Sequence, residues 1–145
     1  MQLEILQYPD GRLRTVAADI KDVTPDIKKL CTDMLETMNV KGGAGLAAPQ
    51  VGRSLRIFVM VDDEHSVFIN PIITERSAAT TISDEGCLSF KGFGFIKVKH
   101  SDTVTVSAID IDGKLFSKKY DKLLSQCVQH EMRHLDGDLL IDHLE

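Results

Sequence analysis

Tryptophan is absent from this chain, cysteine is limited to three residues and proline to four, and positive charge is in the minority. An odd and small cysteine count excludes a disulfide framework as the organising device. It suits a reducing cytoplasm and leaves at least one thiol free to act as a ligand. No apolar stretch approaches the roughly 20 residues that a membrane helix requires, so no membrane partner is expected. Met1–Asp10 carries Glu4 and Asp10 where a secretory leader would be basic and then apolar. With 17 basic and 22 acidic residues, for a net charge of −5, the chain lacks the electrostatic footprint of a nucleic-acid binder. Lys97, Lys99, Lys118, Lys119 and Lys122 read as a solvated face. Internal repeats, linkers and low-complexity segments are also missing. What remains is 145 residues, 43% hydrophobic and 27% charged, which fits one domain over 1–145 with a single real core.

The chain punctuates itself clearly. Thr24-Pro25-Asp26 marks a helix start, with Thr24 as N-cap and proline in the first turn. Ile27, Leu30, Cys31, Met34, Leu35 and Met38 follow as a buried stripe, and Gly42-Gly43 ends the helix. Cys31 lies within that stripe and is read as core. Gly43–Gln50 reads as a tight loop of small residues, suited either to close internal packing or to close approach of a ligand backbone. Leu55–Val61 and Val67–Asn70 read as strands joined by the polar Asp62-Asp63-Glu64. Thr81–Ser89 is less regular, and Gly92 and Gly94 alternating with Phe93 and Phe95 suggest a bent segment with an aromatic rim. Thr103–Ile109 alternates, Asp112-Gly113 turns, and Lys114–Tyr120 returns. Asp121 is placed to cap a last helix over about Lys122–Asp136, closed by Gly137. The expected class is α+β: antiparallel or mixed strands around a central C-terminal helix, with one further helix near the N-terminus.

That last helix carries the chemistry. In Gln129–Gly137, His130, Glu131 and His134 form H-E-x-x-H. Residues four apart stand one above the other on a helix, so both imidazoles reach one ion, while Glu131 reaches a water held there. The bland alternative is an amphipathic helix whose surface happens to read this way. A catalytic site of this kind takes three protein ligands and keeps one position open. Only eleven residues follow His134, and the metzincin extension meets Leu140 where it requires histidine. His143 would need a sharp chain reversal. Cys127 lies near the same helix face but suits packing as a small hydrophobe. Cys87, in a glycine-flanked non-helical stretch, is the better third ligand. A Cys–His nucleophile instead would leave Glu131 and one histidine without a role.

Three stretches in this order and spacing, Gly43–Gln50 (GAGLAAPQ), Glu85–Ser89 (EGCLS) and Gln129–Gly137 (QHEMRHLDG), resemble the peptide deformylases, and the resemblance covers essentially the whole chain. It implies that Cys87, His130 and His134 hold one divalent metal ion, ferrous iron in cells and zinc or nickel as purified. It implies that Glu131 is the general acid/base, and that Gln50 and the Leu88 N–H donate to the formyl oxygen. Gly45 would pair through its backbone with the bound peptide. Gly43, Ala44, Leu46, Glu85, Gly86, Leu123, Gln126 and Cys127 would line the substrate site. The metal would bring the pKa of its water toward about 7. The implied reaction is hydrolysis of the N-formyl group from the initiating methionine of new proteins, releasing formate.

The chain departs from the family pattern at several positions. Arg133 stands where an aspartate is usual, on the flank of the metal face. Phe90-Lys91 replaces an apolar residue followed by proline, and a peptide-binding arginine aligns with His100. Gln126, Ala44 and Ser83 are smaller or more polar than usual, which implies a wider or wetter methionine pocket. The chain ends at Glu145, without the tail helix associated with ribosome docking, so that contact is in doubt and a compact, phage-type form is expected, acting in the bacterial cytoplasm. Two alternatives stay open: a metalloamidase or peptidase with another acyl preference, and a retired homologue that binds peptide without turnover.

Overall fold

The N-terminal helix closes at both ends as its sequence dictates. Thr24 Oγ1 accepts from the Ile27 N–H and Pro25 begins α1 (Pro25–Lys41). At the other end Gly42 is left-handed (φ 69°), and its N–H and that of Gly43 return to the Asn39 and Met38 carbonyls. The computed structural model describes residues 1–143. Beyond α1 it contains strands β1 (Gly45–Ala47), β2 (Ile57–Met60), β3 (Val67–Arg76), β4 (Thr80–Glu85), β5 (Ile96–Ser101), β6 (Thr103–Ile109) and β7 (Leu115–Asp121), then helix α2 (Lys122–Leu135). The strands form a five-stranded antiparallel sheet in the order β1-β2-β3-β6-β7 and a separate β4-β5 pair. This is the expected α+β fold with its C-terminal helix.

Strand β2 shows why the helix of interest is central. Ile57 and Val59 join Leu30, Cys31 and Met34 of α1 in one apolar cluster, whereas Phe58 and Met60 join Phe68, Val128 and Leu135 in another. Alternation sends successive side chains to opposite faces, and all four are buried because a helix covers each face. Phe58 and Phe68 stack with centroids 4.4 Å apart. Each such side chain contributes about 2 kcal/mol through burial. A third cluster, with Leu13, Phe90, Ile96, Val98 and Leu139, lies under the β4-β5 pair. Among the described residues, no helix is long and apolar enough to cross a membrane.

Several elements differ from the sequence expectation. The Gly43–Gln50 loop contains β1 and then a 3₁₀ turn (Ala48–Val51), because β1 is held by β2 whatever the weak strand preference of its small residues. The strand expected to end at Asn70 runs on to Arg76 through a bulge, where Asn70 adopts φ 50° and its side-chain amide bonds both the N–H and the carbonyl of Ile20. Thr81–Ser89 is more regular than expected, since β4 pairs residue for residue with β5, a strand the glycines before it conceal. Asp121 makes no side-chain cap: it stays paired with Thr103, and Lys122 enters α2 at φ 52°. Lys118 leaves the solvated lysine face to pair with Asp62 and Glu64.

Candidate metal centre

From Leu124 to Leu135 helix α2 has no exposed residue, so its buried polar residues must find partners inside the protein. Gln129 does so fully: Oε1 accepts from the Ser101 N–H (2.9 Å) and from Arg76 (3.3 Å), and Nε2 donates to the Ser101 carbonyl (2.9 Å) and the Ser125 carbonyl (3.1 Å). This welds α2 to the end of β5. Past the other end of the helix, Gly137 (φ 74°) is required on two grounds, because a Cβ there would lie 2.5 Å from the Arg14 carbonyl oxygen.

With the helix fixed, His130 and His134 face Cys87, which lies just beyond β4. One ligand atom from each of Cys87, His130 and His134 lies within 4.8 Å of the others, and Cys87 Sγ is 3.3 Å from His134 Nε2. His143 bonds Asp138 at 3.2 Å instead, and Cys127 lies outside the cluster, its thiol 3.6 Å from the Ala44 carbonyl oxygen. Burial pushes the Cys127 thiol well up, with the charge of Glu131 adding to it. Cys31 is core, as its place in the stripe indicated, and burial raises it to about 11.

The electrostatics differ sharply among the buried groups. His134 is pushed well below its usual value by burial and by neighbouring His130 and Arg133, which leaves its ring neutral. Burial would also lower His130, yet hydrogen bonds with Cys87 and Glu85 outweigh it and hold the metal-free ring up at about 10. Burial, with the charge of Glu85, raises the Glu131 carboxyl to about 7 against the pull of His130 and Arg133. Among the described residues its Oε1 is buried without a partner. Glu85 is opposed by burial, but His130 and Arg133 prevail and hold it below the usual carboxylate range.

A cleft of about 450 Å³ opens onto this cluster. Gly43, Ala44, Gly45, Gln50, Glu85, Gly86, Leu88, Leu123, Gln126 and Cys127 all border it. Leu46 is the correction: alternation along β1 turns its side chain into the core beside α1. Glu85 borders the cleft, but its Oε1 is taken up by His130 Nδ1 at 2.9 Å and Arg133 at 3.2 Å. A Cβ on Gly45 would collide with the Glu131 carboxylate and lie 2.9 Å from Cys127 Sγ. Gln50 is buried, its Oε1 accepting from the Ala47 N–H (2.9 Å) and its Nε2 directed at Ser89 Oγ (3.1 Å) and Cys87 Sγ (3.6 Å). His100 does not border the cleft as a peptide-binding arginine would. It is buried in β5 beside a separate hollow with Arg76, Lys99 and Arg133. Ser83 is likewise outside the cleft lining, whereas Ala44 and Gln126 are in it.

Sequence reasoning assigned no role to three supports. Ser89 receives the Gln50 amide, Gln129 anchors α2, and Gln7 braces the Cys87 loop through the Leu88 carbonyl (2.8 Å). Ser89 and Gln129 lie inside the EGCLS and QHEMRHLDG stretches, which is the signal for them, while Gln7 has no local signal.

The chain's relatives match this architecture. The polypeptide deformylase family profile matches residues 2–145. A peptide deformylase of Acinetobacter baumannii strain SDF is 44% identical over 146 residues, covering 98% of this chain and 82% of the relative. The crystal structure of peptide deformylase from Thermotoga maritima superposes with a TM-score of 0.94 at 34% identity, covering 100% of this chain and 99% of that one. That of Synechococcus elongatus peptide deformylase in complex with actinonin has a TM-score of 0.93 at 35% identity, covering 99% and 79%. On its sequence and on its fold, this chain belongs to the peptide deformylase family of enzymes.

Proposed function

We propose that the chain, acting as one catalytic domain over 1–145, removes the formyl group from the N-terminal formylmethionine of new peptides and releases formate. The observation that carries this reading is the convergence of Cys87, His130 and His134 beside a buried Glu131 oxygen that has no partner among the described residues, near the sheet-edge strand β1. Thiolate and two imidazoles form a donor set that zinc, iron, nickel or cobalt accepts. Cys87, His130 and His134 would hold one such ion, ferrous in cells and zinc or nickel as purified. When bound, it would polarise the formyl carbonyl and acidify a water beside it.

The chain's own residues supply the rest. Glu131, whose carboxylate lies at the floor of the cleft, takes a proton from the attacking water and returns it to the amine nitrogen as the C–N bond breaks. Gln50 Nε2 and the Leu88 N–H donate to the formyl oxygen as it gains charge; one such donor is worth roughly 3 kcal/mol. Strand β1 sits at the sheet edge, so an extended peptide adds there as a further strand, beside the Glu131 carboxylate for which Gly45 leaves room. Gly43, Ala44, Gly86, Leu123, Gln126 and Cys127 border the space for the methionine side chain. The partners on this reading are formylated nascent chains of a bacterial cytoplasm.

Formate release from formyl-Met-Ala-Ser, compared with acetate release from acetyl-Met-Ala-Ser, tests the proposal. Turnover of the formylated peptide is expected, and actinonin, which is bound in the Synechococcus elongatus structure, should compete with it. Preference for the acetylated peptide would reassign the site to another amidase.

A further inference from the structure

We infer that Arg133 is a positioning residue for the metal centre: it anchors Glu85 and, through Glu85, fixes the ring of His130. This rests on the reading of Cys87, His130 and His134 as ligands. The three come from two separate elements, Cys87 from the loop just past β4 and the histidines from α2. Something must hold those elements in register. Glu85 is two residues before Cys87, and its Oε1 receives both His130 Nδ1 at 2.9 Å and the Arg133 guanidinium at 3.2 Å. Residues three apart share a helix face, so His130 and Arg133 close on one carboxylate from the same side.

The pairing is enclosed. The Glu85 side chain is 4% exposed and that of Arg133 is 16% exposed, so water screens it little. The second Glu85 oxygen is buried without a partner among the described residues, which leaves the shared oxygen as the carboxylate's anchorage. Without Arg133, the Glu85 Oε1 would keep only its hydrogen bond with His130, and the two side chains would rotate more freely together. With it, Nδ1–H of His130 has a fixed acceptor, and Nε2 is aimed toward Cys87 and His134. Carboxylates placed behind ligating histidines in this manner typically contribute 10–100-fold in metal affinity. Arg133 acts one step further back, through Glu85 alone.

The test is a double-mutant cycle on zinc affinity, measured by chelator competition, for wild type, Glu85→Gln, Arg133→Met and the double variant. Arg133→Met is expected to weaken zinc about 10-fold. The double variant is expected to bind no more weakly than Glu85→Gln alone, because Arg133 has nothing left to act through. Arg133→Lys keeps the charge and should recover part of the loss. The visible spectrum of the Co²⁺-substituted protein should shift in Arg133→Met and move back toward wild type in Arg133→Lys. Unchanged zinc affinity in Arg133→Met, or losses that add fully in the double variant, would overturn the inference. If Arg133→Met does not fold, the Lys variant and its cycle with Glu85→Gln decide on the same criterion. Wild-type zinc binding without turnover of formyl-Met-Ala-Ser would sink the deformylase reading while leaving this cycle measurable.

Discussion

Replacing Glu131 by glutamine should stabilise the metal-free chain while abolishing turnover. The carboxyl ionises near 4.5 when unfolded and at about 7 when folded, because burial opposes its charge. At about 1.4 kcal/mol for each tenfold change, this difference weighs about 3 kcal/mol against the ionised folded state. The sign follows from the order of the two values. A folded value above the unfolded one means that stability is intact below about pH 4.5 and is lost progressively as pH rises to about 7. Glutamine does not titrate, so its advantage should be small at pH 5 and complete by pH 8. An unpartnered buried amide gives back about 1 kcal/mol. The remaining 2 kcal/mol or so corresponds to a rise in Tm of about 6 °C for a chain of this size. Thermal unfolding of chelator-treated wild type and Glu131→Gln across pH 5–8 measures it. Zinc should narrow the gap, since a cation beside the carboxylate favours its ionised form. A gap that is absent at pH 8, or of equal size at pH 5, would refute the reasoning.

Other expectations follow from the same geometry. Gln50→Ala should lower kcat about 100-fold with metal retained, and should also destabilise the fold by about 1 kcal/mol through loss of the Ala47 N–H acceptor; unchanged kcat would remove Gln50 from the chemistry. Gly45→Ala should push on Glu131 and Cys127 and cut kcat/KM about 100-fold; a fully active variant would mean that the placement of Glu131 does not depend on the missing side chain at position 45. Because Cys87 and Glu85 hold His130 protonated up to about 10 in the metal-free chain, zinc uptake at pH 8 should release protons, and affinity should rise with pH. Titration in weakly buffered solution with an indicator dye reads the release directly, and none would contradict the assignment of His130.

How far the sequence could be read depended on whether a residue's partner was local. Helix α1 was legible from Thr24 to Gly43 because its caps and apolar stripe lie within one stretch. The cluster of Cys87, His130 and His134 was legible because two ligands share a helix turn and the third lies in a distinctive glycine-flanked stretch. Strand β1 was not, since Gly45–Ala47 owes its extended state to β2, and β5 was hidden behind Gly92 and Gly94 although Ile96–Lys99 alternates buried and exposed. The Arg133–Glu85 contact spans 48 residues, so position 133 read only as a departure on the flank of the metal face. His100 looked like a peptide-binding position, but β5 buries it behind α2, away from the cleft.

In the proposed reaction Glu131 carries the proton beside a metal held by Cys87, His130 and His134. Its most direct test is formate release from formyl-Met-Ala-Ser by anaerobically purified wild type and Glu131→Ala, with the metal content of each quantified. Turnover by wild type is expected, with its loss in Glu131→Ala while about one metal ion stays bound per chain. A variant that retains both its metal and wild-type turnover would contradict it.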